Sequence, residues 1–246
     1  MDYKTTACDY NLRELEIDTA SQYMRDGDRV LDVGCGLGYA AVQYASRHAA
    51  EVQGIDYAEN MILGAQRLLA ENEPTLKGTV SFTHASVCSL PFPPDHFDVV
   101  SSSRCLMALL DWKLQQDALV DIHRVLKPGG RLVLMEGTID GLTRLNHVRE
   151  KFGLEKIDAD GRDRLFTRKF REQELLAFCS PLYHLEATWR FGMYYFLTRV
   201  VHPLLVAPEK PKYDARINAV AREIARIIPD YDGLGHLVAF VLQRKP

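Results

Sequence analysis

Residues 29–38 read Arg29, Val30, Leu31, Asp32, Val33, Gly34, Cys35, Gly36, Leu37, Gly38, and they leave the backbone few choices. Val30 to Val33 favour an extended chain, glycines then fall at every second position, and Tyr39, Ala40, Ala41 and Val42 start a helix. The unit is a strand, a glycine turn and a helix. Glycine is required where the backbone takes positive φ or lies against a ligand with no Cβ in the way, and a helix starting there points free N–H groups at that ligand. The turn reads as the floor of a site for a nucleotide-like molecule.

Spacing decides which molecule. A dinucleotide fingerprint of the G-x-G-x-x-G kind, built on Gly34 and Gly36, needs glycine or alanine where this chain has Tyr39. A phosphate-cradling loop needs a Gly-Lys-Ser or Gly-Lys-Thr ending, which the turn lacks. The run from Val30 to Gly38 instead resembles the glycine turn of the class I S-adenosylmethionine (SAM)-dependent methyltransferases, of the type 11/25 kind. The resemblance continues through Leu90, Pro91, Phe92 and Phe97, Asp98, Val99, Val100 to the segment Arg124-Val125-Leu126-Lys127-Pro128-Gly129-Gly130, in order and spacing over residues 29–136. It implies an α/β fold: a seven-stranded Rossmann-like methyltransferase sheet flanked by helices, with a helical lid from C-terminal insertions. It also implies S-adenosyl-L-methionine as cofactor and S-adenosyl-L-homocysteine (SAH) as its product. Residues 1–246 are expected to form a single domain, with 1–28 as an N-terminal helical cover and 29–136 as the SAM-binding core.

Composition narrows the partners. A formal net charge of −3 gives no support to a nucleic-acid polyanion. Cys8, Cys35, Cys88, Cys105 and Cys179 are scattered and lack a C-x-x-C pair, which argues for free thiols in a reducing compartment and against a zinc site or a disulfide framework. No apolar run approaches the roughly 20 residues of a spanning helix, and no signal-peptide core is present at the N-terminus. The expectation is a cytoplasmic protein without a bound metal or a membrane span, monomeric or homodimeric.

Residues 9–25 carry Leu12, Leu15, Ile17, Ala20, Tyr23 and Met24 at near-helical spacing. In the resembled family such a helix covers the SAM site, which would turn Arg13 and Glu14 inward. A second strand, Glu51 to Ile55, ends in Asp56, where an ionised carboxylate can accept both ribose hydroxyls of an adenosine. Tyr57 and Met61 follow it into a helix over 58–72, placed for an adenine face. Thr79 to His84 alternate as a third strand. The family usually has an aspartate where this chain has Ser86, so the Ser86 hydroxyl and the backbone of Val87 are expected to take the adenine amine. The loop from Ser101 to Trp112 should border cofactor and acceptor, with Ser103 on the cofactor side. Arg104 stands in it as a cation suited to a carboxylate or phosphate. Many relatives carry a histidine pair where this chain has Met107 and Ala108, so no histidine base is expected from this loop. Glu136, which ends the fifth strand at the crevice edge, is the expected acid/base or substrate carboxylate.

Substrate choice is expected beyond residue 137. Phe170 to Cys179 read as a helix, Leu182 to Arg190 as a strand, and Gly235 to Gln243 as a closing strand. Between those strands lies an insertion. It holds the tyrosine-rich stretch from Met193 to Val206 and a helix over Tyr213 to Ile228, with Ile217, Val220, Ile224 and Ile228 marking its apolar face. Pro203, Pro208 and Pro211 mark a loop. Residues 138–168 and 192–230 are expected to form a substrate lid, with the helix lying on the segment around Asn146 and over the crevice. Asn146, Arg149, Tyr194 and Arg199 are the candidate substrate contacts, Tyr195 a candidate catalytic group beside Arg104 and Glu136, and His202 part of the inner wall.

Methyl transfer from a sulfonium needs in-line positioning more than a dedicated base. The leading expectation is transfer to O or N of a small polar acceptor, such as a sugar derivative or natural-product intermediate, with the arginines suggesting an acidic group on it. Methylation of a peptide's α-amine, as in linaridin-type tailoring, is a second reading with a short peptide as partner. A SAM-binding protein without transferase activity is a third.

Overall fold

The computed structural model describes residues 9–72, 75–158 and 166–246; Cys8 and the 159–165 part of the expected lid lie outside the described residues. Seven strands form one sheet in the order β3-β2-β1-β4-β5-β7-β6. They are β1 (Arg29–Val33), β2 (Glu51–Asp56), β3 (Thr79–His84), β4 (Phe97–Ser103), β5 (Leu126–Gly137), β6 (Tyr183–Trp189) and β7 (Leu237–Arg244). β7 pairs antiparallel with both β5 and β6, so among the seven strands it alone runs against the common direction. β1 pairs in parallel with β2 on one side and β4 on the other, so the winding reverses beside it and a crevice opens at the carboxyl ends of these strands.

The helices are α1 (Tyr10–Ser21), α2 (Tyr39–Arg47), α3 (Glu59–Asn72), α4 (Trp112–Val125), α5 (Ile139–Lys151), α6 (Glu172–Cys179), α7 (Gly192–Phe196), α8 (His202–Val206) and α9 (Arg216–Ile227), with a π-helical turn at Leu197–Val201 joining α7 to α8. Strand alternation divides the core in two. Val30, Val99, Val133 and Met135 pack with α1, α2 and α9, while Leu31, Val33, Val100, Leu132 and Leu134 pack with α4 and α6. By the same parity Asp32 shares the face of Val30, toward α1, and Glu136 shares the face of Leu132 and Leu134, toward α4.

The insertion departs from the expected arrangement. α9 packs on α1, α7 and the π turn rather than on the Asn146 segment. Its buried stripe is Asn218, Ala221 and Ala225, whereas Val220 and Ile228 are exposed. Small alanines let the helix approach α1 closely, which the larger residues on the expected face do not. Pro203 lies in the first turn of α8 rather than in a loop, because a first-turn proline loses no intrahelical hydrogen bond.

Candidate active site

Arg104 follows β4 with φ of 53°, a left-handed conformation uncommon for a residue with a Cβ, and its amide donates to the carbonyl of Met135 at 2.8 Å. This sharp turn aims the guanidinium into the crevice, where it lines all of three adjoining cavities of about 410, 180 and 480 Å³.

The first cavity lies over the ends of β1 and β2. Gly34, Asp56, Tyr57, Ser86 and Val87 line it, together with Ile55, Ala85, Cys105, Ala108 and Leu109. Asp56 clamps the glycine turn: Oδ2 accepts from the Gly36 amide and Oδ1 from the Ala58 amide, each at 2.9 Å. Ser86 Oγ accepts from the Cys88 amide at 3.2 Å, so this hydroxyl shapes its own loop as well as facing the cavity. Gly34 has φ of +71°, and a Cβ there would stand 2.6 Å from the Cys105 side chain.

The second cavity is small and polar. Arg13, Asp32, Gly34, Gly36 and Ser103 line it with Glu16, Tyr44 and Met135. Ser103 Oγ and Arg104 Nη2 donate to Glu16 Oε2 at 2.8 and 3.0 Å, while Glu16 Oε1 and Asp32 Oδ2 are buried with no hydrogen-bond partner. Burial raises the Asp32 carboxyl to about 7, opposed by the Arg13 charge and reinforced by Asp56. Two orphaned carboxylate oxygens beside two guanidinium groups suit a zwitterion with one ammonium and one carboxylate.

The third cavity lies under the insertion. Arg149, Tyr195, Arg199 and His202 line it, as do Asp9, Leu12, Thr198, Tyr213 and His236. Arg199 pairs with Asp9, the cap of α1, and its guanidinium sits 5.0 Å from the Tyr213 ring centroid. This ties the insertion to the N-terminal helix.

Several expected residues stand elsewhere. Glu136 is fully buried on the α4 side of the sheet and accepts the amides of Cys105, Leu106 and Met107, so it holds the loop rather than facing the crevice. Burial raises its carboxyl to about 8, against the pull of those amides. Tyr194 is fully buried and donates to Asp9, and Asn146 pairs through both side-chain atoms with the backbone of Ile157; neither lines any of these three cavities. Met61 is half-buried on α3 and lines none of them. Gly38 serves packing, since a Cβ there would come 2.5 Å from Phe82. Glu14 accepts from the Tyr39 hydroxyl at 2.8 Å, and Glu16 takes the inward place. The signal for Glu16 was its spacing from Arg13, since residues three apart share a helix face. Asp9 and His236 carried no sequence motif.

The strand order and the crevice around the glycine turn are those of the Rossmann-like methyltransferase fold. Residues 30–130 match the family model described as "Methyltransferase domain". That stretch is similar to the family over somewhat less than half of the chain. The chain is 38% identical over 114 residues to the O-methyltransferase rstn1 of Aspergillus nomiae, covering 46% of this chain and 48% of that protein. It is 34% identical over 142 residues to the ubiquinone/menaquinone biosynthesis C-methyltransferase UbiE of Ectopseudomonas mendocina, covering 56% of this chain and 53% of that one. The chain thus spans about half the length of the curated relatives it matches. The crystal structure of a geranyl diphosphate C-methyltransferase from Streptomyces coelicolor, solved with SAH, superposes with a TM-score of 0.61 at 16% identity, covering 96% of this chain and 81% of that one. Among the described residues no helix is long and apolar enough to cross a membrane.

Proposed function

We propose that this chain transfers a methyl group from SAM to an oxygen or nitrogen of a small polar acceptor held in the third cavity. The observation that carries the reading is the pair of unpartnered, buried carboxylate oxygens, on Asp32 and Glu16, in the second cavity. A buried carboxylate oxygen with no donor is costly unless a ligand supplies one, and the α-ammonium of an amino acid does so. Arg13 and Arg104 would hold the matching carboxylate. Each Asp56 oxygen has already accepted one amide and has a lone pair left, which suits the two ribose hydroxyls. Ser86, Val87 and Tyr57 would border the adenine, and Gly34 and Gly36 let the backbone approach the ligand.

When bound, SAM supplies an electrophilic methyl on a sulfonium whose thioether leaves without protonation. The protein's part is to bind, align and exclude water. Arg104 separates the cofactor cavities from the acceptor cavity, and the segments within 138–158 and 192–230 wall the acceptor in. Holding donor and acceptor in line supplies about 7–11 kcal/mol in favourable cases. Titration calorimetry with SAH tests the reading: binding to the wild type with at least tenfold loss in Asp32→Asn is expected, and no heat from the wild type would overturn it. Incubation with labelled SAM and source extracts then identifies the methylated acceptor by mass.

A further inference from the structure

The third cavity has an exposed end at Lys212 and Tyr213 and reaches inward to the buried Tyr195 and the half-buried His236. Its arginines are engaged: Arg104 with Glu16, Arg199 with Asp9, and Arg149 with the carbonyls of Glu155 and Arg199. Two uncharged atoms at the inner end are not engaged. The Tyr195 hydroxyl and Nδ1 of His236 are buried without a hydrogen-bond partner, on rings whose centroids lie 4.8 Å apart. Buried polar atoms in folded proteins are nearly always paired, so two neighbouring orphans on one cavity wall point to a ligand that pairs them.

We propose that Tyr195 and His236 form the recognition site for an uncharged hydroxyl of the acceptor, which donates to His236 Nδ1 while the Tyr195 O–H donates to the acceptor's oxygen. This rests on the methyl-transfer reading and adds a substrate class to it: an alcohol or phenol at the inner wall, in place of the acidic group that the arginines suggested from sequence. The imidazole acts as an acceptor of a hydrogen bond and not of a proton. Burial, with the charges of Arg199, Lys169 and Arg104, lowers its pKa to about 3, so it stays neutral at ordinary pH. Burial likewise pushes the Tyr195 hydroxyl up, which keeps its proton in place as a donor. A site built to hydrogen-bond a hydroxyl discriminates strongly against an analogue without one, because its own groups are then left unpaired.

The test uses p-cresol as probe, with toluene as its hydroxyl-free counterpart and p-toluate as the acid. Each is titrated into SAH-saturated protein carrying ¹⁵N-labelled histidine and followed by NMR. p-Cresol should shift the His236 Nδ1 resonance and bind at least about tenfold tighter than toluene or p-toluate. Tyr195→Phe and His236→Leu should each erase that advantage, while His236→Asn, whose amide oxygen can stand in for Nδ1, should keep it. Calorimetry with SAH on the same samples separates the two readings. Failure of the wild type to bind SAH overturns methyl transfer. Retained SAH binding with the p-cresol advantage intact in both Tyr195→Phe and His236→Leu, or tighter binding of p-toluate, overturns the recognition site.

Discussion

Arg104 donates from Nη2 to Glu16 Oε2 at 3.0 Å, which ties the loop after β4 to the inner face of α1. The Glu16 side chain is 3% exposed, and its other oxygen has no partner. One carboxylate therefore neutralises the cation common to the three cavities and keeps an oxygen free for a ligand in the second.

Replacing Glu16 by Gln keeps an oxygen for Ser103 and Arg104 but removes the charge. The prediction is a loss of SAH affinity of about 1.5–3 kcal/mol, the scale of one charge-assisted hydrogen bond. Titration calorimetry measures it, and an affinity equal to wild type would remove Glu16 from the ligand's surroundings.

Asp56 bears on both the turn and the ligand, since it accepts the Gly36 and Ala58 amides. Asp56→Ala is expected to weaken SAH binding well over tenfold and to lower the melting temperature, because two backbone donors lose their acceptor. Asp56→Asn keeps one acceptor oxygen and should fall between. Calorimetry and thermal unfolding run on both variants read the two effects separately; a melting temperature unchanged in Asp56→Ala would contradict the clamp.

The core was legible because each of its signals is local. The glycine turn, the carboxylate at the end of β2 and the Pro-Gly-Gly turn before the inner half of β5 all act within a few residues of themselves. Glu136 lies off the crevice for a reason of parity: a strand-end residue faces the crevice or the opposite layer depending on one step of the pleat, and Met135 has the crevice side. On α9 the spacing of the large apolar residues points to one face, while close packing selects the face that carries Ala221 and Ala225. His236 and Asp9 reach the third cavity only through long-range closure of β7 and α1 over the insertion, and no pattern within their own segments announces it.

Glu136 is a loop-holding carboxylate, and its loss should be felt in folding before chemistry. Glu136→Ala strands the amides of Cys105, Leu106 and Met107 in a buried site, at about 1–3 kcal/mol for each. Urea unfolding is expected to report a destabilisation of about 3 kcal/mol or more, with Glu136→Gln milder since its oxygen retains part of the set. A fully stable Glu136→Ala protein with abolished turnover would return this residue to a catalytic role.

Asp32 supplies the sharpest link between charge and binding. Its carboxyl is raised from 3.8 to about 7 in the folded, ligand-free protein, chiefly by burial. A raised carboxyl contributes stability that is fully present below its unfolded value and is lost as pH rises through about 7, because between the two values the folded state holds the extra proton. An ammonium placed against Oδ2 stabilises the ionised form and lowers the pKa again. Binding at about pH 6 must then expel a proton from Asp32, and SAH affinity should climb with pH and level off above about 7. Calorimetry in buffers of different ionisation heat reads the proton count directly. Close to one proton is expected from the wild type at about pH 6 and close to none from Asp32→Asn, whose amide cannot titrate. Equal proton release from the two proteins would mean that the ligand's cation lies away from Asp32, and the zwitterion assignment of the second cavity would have to be abandoned.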